Sequence, residues 1–153
     1  MNQSIWVSFP MQAIEGRHDG RKILLPVHIL RPGHALDLTS VEVMALLDTG
    51  ATTSGIGEPV INKLGLISYG KKRLKSAREE SFVPYYLFKI GLCDNRADPS
   101  RDMPSIKLPY IFPETDGFSW SHATDFQVIL GMDVLRKCDL NSMRDGRWVL
   151  TFG

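Results

Sequence analysis

The chain has 153 residues, 43% of them hydrophobic, and its 18 Lys and Arg against 17 Asp and Glu leave a formal charge of +1. A chain of this length buries about two thirds of its extended surface, enough for one core without disulfides, and its ordinary composition excludes a disordered polypeptide. The balanced charge gives no reason to expect nucleic acid or an anionic membrane as partner, and no apolar stretch reaches the roughly 18 residues of a membrane span.

The start, MNQSIWVSFPMQ, lacks the basic residues and long apolar run of a secretory signal. Residues 4–9 alternate, with Ile5, Val7 and Phe9 on one side. Residues 22–30 are rich in β-formers, and Pro26 among them marks an edge or a bulge. Residues 41–47 place Val41, Val43, Ala45 and Leu47 on one face, while Met44 and Leu46 make the other face apolar near the end. That is the pattern of a strand entering a core. Residues 58–64 read as a helix, with Pro59 in its first turn, Gly65 past its end, and Val60, Ile61 and Leu64 as its buried stripe. Strands follow at 73–75, 81–90, 106–111, 126–130 and 148–152, and a short helix at 132–138 needs tertiary packing to stand. Residues 93–104 and 113–125 read as loops. Short strands punctuated by Gly and Pro point to an all-β barrel or sandwich.

Cys93 and Cys138 are read as free thiols in a reducing compartment, the cytoplasm. The histidines (His18, His28, His34 and His122) form no metal-binding pattern, and His122 with Asp125 would be only half a site. Lys71, Lys72, Arg73, Lys75 and Arg78 form a cationic run that phosphate or an acidic peptide could use. It is read as a solvated hairpin partly balanced by Glu79 and Glu80, with no aromatic platform interleaved. Phe118 and Trp120 are read as loop anchors rather than pocket walls.

The chemistry concentrates in Ala45-Leu46-Leu47-Asp48-Thr49-Gly50-Ala51-Thr52-Thr53-Ser54. An aspartate after an apolar strand end is costly unless donors hold its charge or a partner shares it. Gly50 allows a tight turn whose amides approach the carboxylate. A second segment, Val128-Ile129-Leu130-Gly131-Met132-Asp133, reads as a buried strand that passes another backbone closely at Gly131. The two segments lie too far apart for a hairpin, so they meet through tertiary structure.

Leu46-Leu47-Asp48-Thr49-Gly50-Ala51 followed by Ile129-Leu130-Gly131-Met132-Asp133 resembles the retropepsin-like aspartic proteases, most of all their small single-domain bacterial forms. The ending, from Asp139-Leu140 to Trp148-Val149-Leu150-Thr151-Phe152, is similar to the family's final hairpin and strand. The resemblance covers residues 22–153 and leaves 1–21 as an N-terminal arm or extra strand.

What the resemblance implies is an all-β fold: a retropepsin-like closed β-barrel with a short C-terminal helix and a flap hairpin. It implies a homodimer, because the chain has one Asp-Thr-Gly and the chemistry needs two carboxylates. Asp48 from each subunit would share a proton across a two-fold axis and activate water against a peptide bond, with no metal and no cofactor. Thr49 would hydrogen-bond across the axis, Gly50 and Thr52 would bind substrate, and Ala51 would sit behind the pair. The flap would be residues 72–85, with Ser76, Ala77 and Arg78 at a substrate-touching tip. That tip has no glycine, unlike the retroviral pattern. Residues 4–9 and 148–152, with the Thr49 loop, are the expected dimer contacts. The implied activity is that of a cytoplasmic aspartic endopeptidase acting on peptides or proteins. The alternative is a catalytically silent dimerisation and peptide-binding module on the same fold.

Overall fold

The computed structural model describes residues 11–75, 80–96 and 108–153. The expected strand at 4–9, the hairpin-tip residues Ser76, Ala77, Arg78 and Glu79, and residues 97–107 of the following loop and strand lie outside the described residues.

In chain order the elements are β1 (Gln12–Arg17), β2 (Leu24–Leu30), β3 (Ser40–Leu47), β4 (Gly55–Gly57), α1 (Glu58–Leu64), β5 (Gly70–Lys75) and β6 (Glu80–Leu92). They continue with β7 (Tyr110–Ile111), β8 (Thr115–Trp120), β9 (Val128–Leu130), α2 (Met132–Leu135), β10 (Asp139–Ser142) and β11 (Arg147–Phe152). The protein is thus mostly β, as its punctuated pattern predicts. The larger sheet runs β2-β3-β9-β4-β8-β6-β5, with β7 on β6, and β6 also pairs β2 through His28–Leu30. The pairings β3–β9 and β4–β8 are parallel, and the others are antiparallel. Inward positions of β2, β3, β4, β6 and β9 supply the core: Leu25, Val27, Ile29, Ala45, Ile56, Phe88, Ile90, Val128 and Leu130 are fully buried. Each large member contributes roughly 1.5–3 kcal/mol by leaving water.

Pro26 is exposed where β2 has β3 as neighbour and the β6 pairing has not begun, an edge position that its missing N–H tolerates. Helix α1 has the expected bounds. Gly65 closes it at φ 61°, donating to the Asn62 carbonyl, and Val60, Ile61 and Leu64 are its buried stripe.

The structure corrects two readings and adds a strand the sequence did not announce. The stretch 113–125 is not one loop, because β8 crosses it. Its buried positions are Thr115, Gly117 and Ser119, so no hydrophobic alternation announces it. A Cβ on Gly117 would stand 2.5 Å from the Ser54 carbonyl oxygen and 2.6 Å from the Phe88 ring, so the strand fits only without a side chain there. The three-residue β4 is likewise hidden by its two glycines. Helix α2 stops at Leu135, short of the expected residue 138.

A second sheet, β1-β11-β10, is antiparallel and gathers both ends of the described chain. Residues 12–17 are therefore a strand, and β11 has both of its backbone edges filled within its own chain. Neither cysteine is in a disulfide, and burial pushes the Cys138 thiol up to about 11. Among the described residues, no helix is long and apolar enough to cross a membrane.

Candidate functional site

Strand β3 delivers Asp48 to the end of the sheet beside β9. Leu47 lies opposite Leu130, and the Asp48 N–H donates to the Leu130 carbonyl at 3.0 Å. The chain then turns. Ala51 N–H donates to the Asp48 carbonyl at 3.2 Å, and Gly50 N–H donates to Asp48 Oδ1 at 2.9 Å. A Cβ on Gly50 would come within 3.2 Å of that same oxygen, so the glycine lets the amide approach the carboxylate closely.

Beyond the turn, the loop is hooked to the start of α2. Met132 N–H donates to the Ala51 carbonyl at 2.8 Å, and Asp133 N–H to the Thr52 carbonyl at 3.2 Å. These amides begin a helix and have no partner inside it, so the loop satisfies them. Gly131 makes the approach possible. A Cβ there would lie 2.6 Å from the Thr53 carbonyl carbon and oxygen and 2.9 Å from the Ala51 oxygen. The expected close backbone passage at Gly131 is therefore observed.

Beneath the loop lies a polar knot that sequence reasoning left without a role. Ser54 is fully buried. Its hydroxyl donates to Asp133 Oδ1 at 2.7 Å and accepts from Gly131 N–H at 3.0 Å, while Ser54 N–H donates to Asp133 Oδ2 at 3.0 Å. Thr115 adds its hydroxyl to Oδ2 at 3.2 Å, and Val134 N–H donates to Oδ1 at 2.9 Å. The half-buried carboxylate thus accepts four hydrogen bonds, which offsets the cost of taking it from water. The sequence offered one local signal, an acidic residue in a first helical turn. Its partners on the Asp48 loop and β8 carry no spacing pattern.

The structure brings Asp48, Thr49, Gly50, Ala51 and Thr52 onto one loop braced by Gly131, Met132 and Asp133. Asp48 and Ala51 are half-buried, whereas Thr49, Gly50 and Thr52 are exposed. The Thr49 hydroxyl has no hydrogen-bond partner among the described residues. Ser76, Ala77 and Arg78 lie outside them.

A cleft of about 360 Å³ lies between α1, β6 and the end of β8, and its walls include Ile61, Asn62, Pro84, Tyr86, Ser119 and Trp120. Trp120 is therefore a cleft wall, against the reading of it as a loop anchor, and its indole N–H donates to Thr124 Oγ1 at 3.2 Å. Phe118 instead covers Gly55, where a Cβ would meet its ring at 2.4 Å. Asp125 pairs with Lys22, whose hydrogen bond holds the Asp125 carboxyl below the usual aspartate range. Among the described residues, no group of three or more His, Cys, Asp or Glu is placed to hold a metal.

Strands β5 and β6 pair antiparallel across Gly70–Lys75 and Glu80–Tyr85. Their cations have different surroundings. Lys72 pairs with Asp116 and stands 5.3 and 5.2 Å from the ring centres of Tyr69 and Tyr85. The Asp116 hydrogen bond, then that of Tyr69, raises the Lys72 pKa well above the ordinary lysine value. Arg73 pairs with Glu80 at 2.8 Å and lies 5.8 Å from the Phe82 ring centre. An aromatic ring is thus interleaved with the cationic run after all, brought there by cross-strand register rather than by local sequence.

No family model matches the chain, and no curated protein sequence does. The structure is similar to the crystal structure of a retropepsin-like aspartic protease from Rickettsia conorii, with a TM-score of 0.55 over 95% of this chain and 97% of that one. The two sequences are 13% identical, so the likeness is one of fold. By architecture, then, the chain shares the retropepsin-like fold.

Proposed function

We propose that the protein is a homodimeric aspartic endopeptidase in which Asp48 of each subunit forms one half of the catalytic pair. The observation that carries this reading is the Asp48 loop: an aspartate leaving a core strand, with its carboxylate turned onto the Gly50 amide and its loop locked to the Leu130-Gly131-Met132 segment. A retropepsin-like fold around that loop adds support.

In the proposed dimer, two carboxylates about 3 Å apart hold one proton between them, because like charges at that distance resist joint ionisation. The ionised member takes a proton from the attacking water, and the protonated member donates to the carbonyl oxygen of the scissile peptide. The tetrahedral intermediate then collapses as the leaving amine is protonated. Thr49 ties the two loops across the axis, Gly50 and Thr52 hold the substrate backbone, and Ala51 backs the pair. Asp133 is a positioning residue that acts on Asp48 through Ser54 and Gly131. The β5–β6 hairpin serves as the flap over a catalytic domain of residues 22–153. Because β11 is already flanked by β1 and β10, and the outer edge of β1 is taken by Asp94 and Asn95, the dimer contact falls on the Thr49 loop and on the outer edge of β10. Two cysteines outside any disulfide fit a cytoplasmic setting.

The test is cleavage of a broad peptide library by parent and Asp48→Asn protein across pH, with sedimentation at micromolar concentration. Cleavage by the parent alone, from a dimer, is the expected result. Equal cleavage by both proteins, or a cleaving monomer, overturns the mechanism.

A further inference from the structure

We infer that the cleft-facing side of the β5–β6 hairpin is a docking surface for an extended acidic peptide, with a preference for an acidic, an apolar and a second acidic side chain at alternate positions. The inference deepens the peptidase reading and rests on it for the use of the cleft.

Directly opposed residues of an antiparallel pair share one face. Lys71 lies opposite Pro84, Arg73 opposite Phe82, and Lys75 opposite Glu80. On β6 that face continues through Tyr86 to Phe88, Ile90 and Leu92, which are fully buried in the core. Pro84 and Tyr86 are walls of the cleft. So Lys71, Arg73, Lys75 and Phe82 extend the core side of β6 outward, past the cleft. Lys72 belongs to the other face, where Asp116 neutralises it.

The cationic run is therefore sorted by the pleat. One cation is neutralised on one face, and three lie on the other, in line with the cleft walls Pro84 and Tyr86; Val83, opposite Lys72, lines the cleft as well. Arg73 is paired with Glu80, whereas Lys71 and Lys75 make no ion pair among the described residues. Between them stands Phe82, 66% exposed. At about 3.3 Å per strand residue, Lys71 and Lys75 are separated by roughly 13 Å. Two carboxylates four residues apart on one face of an extended peptide span the same distance. The residue midway between them meets Phe82.

The same face is a poor match for nucleic acid. It carries one aromatic ring rather than a row of stacking platforms.

The experiment uses full-length Asp48→Asn protein, so that bound peptide stays intact, and reads fluorescence anisotropy. Three peptides of equal length carry Asp-x-Leu-x-Asp, Gln-x-Leu-x-Gln or Lys-x-Leu-x-Lys, and a labelled single-stranded oligonucleotide is the fourth probe. The acidic peptide should bind about tenfold more tightly than the lysine peptide at low salt, with the gap closing as salt rises. A Lys71→Glu, Lys75→Glu double variant should reverse that order while keeping the parent's circular dichroism. Equal binding of the three peptides, an unchanged order in the double variant, or binding of the oligonucleotide alone overturns the proposal. Parent activity separates the two readings. Cleavage indifferent to peptide charge leaves the peptidase standing and removes the docking surface. No cleavage, with acidic peptides still bound, does the reverse.

Discussion

Around Asp48 the bracing contacts are hydrogen bonds among backbone groups, the buried Ser54 and the half-buried Asp133, whereas the β5–β6 hairpin is tied by ion pairs, one on each face, whose members are each 41–58% exposed. Hydrogen bonds between shielded partners of fixed geometry lose little to salt and cost the full desolvation penalty when one partner is removed. Exposed ion pairs contribute little and are screened. The molecule thus combines a stiff floor under the carboxylate with a hairpin whose ties depend on ionic conditions.

The largest expected effect separates chemistry from bracing. Asp48→Asn should lower peptide cleavage by about 10²–10⁴-fold or more, because proton transfer loses its carrier, while the urea midpoint stays near the parent's. Loss of folding in that variant would mean that the floor depends on the Asp48 charge itself. Next comes Gly131→Ala, whose Cβ would meet backbone that cannot swing aside. It should cost about 3 kcal/mol in urea unfolding, whereas Gly70→Ala, with open space around its Cβ, should change stability by less than about 0.5 kcal/mol. Equal losses at the two sites would erase the contrast between floor and hairpin.

Ser54→Ala should cost about 2 kcal/mol, since it strands the Gly131 amide and removes a donor from Asp133. If Asp133 positions Asp48 through Ser54, kcat should fall with little change in KM, and Ser54→Thr should restore part of it.

The terminal sheet adds a pH signature of its own. Asp94 is held at about 2, chiefly by the Arg96 side chain, then by the Arg96 and Ala13 amides. Its folded value lies below the ordinary 3.8, so this stabilisation is present above pH 4 and is lost as pH falls toward 2. With Arg96 nearly half exposed, about 1 kcal/mol is expected, read as the difference in acid unfolding between parent and Asp94→Asn. The smallest effect belongs to the hairpin: Lys72→Met should shift thermal unfolding slightly at low salt and not at all near 1 M salt.

What the sequence made legible was whatever chemistry is written locally. The apolar strand end before Asp48, the Pro59 and Gly65 punctuation of α1, and the tight spot at Gly131 all follow from neighbouring residues, and each is found in the structure. Strand β8 was not legible, because it buries Thr115, Gly117 and Ser119 instead of an apolar row. The role of Asp133 was hidden for a different reason, since its donors come from the Asp48 loop and β8. Phe82 joined the cationic face through register, which no composition count of the run reveals.

Ser54 meets Asp133 across 79 positions of sequence, and the Asp48 amide reaches Leu130 over a similar span. Contacts so distant are made late, after the intervening chain has been synthesised and its loop closed. A nascent polypeptide that has released Asp48 from the ribosome still lacks the segment that fixes its carboxylate. In the proposed peptidase, the chemistry of Asp48 would therefore be withheld during translation until β9 and α2 have been made.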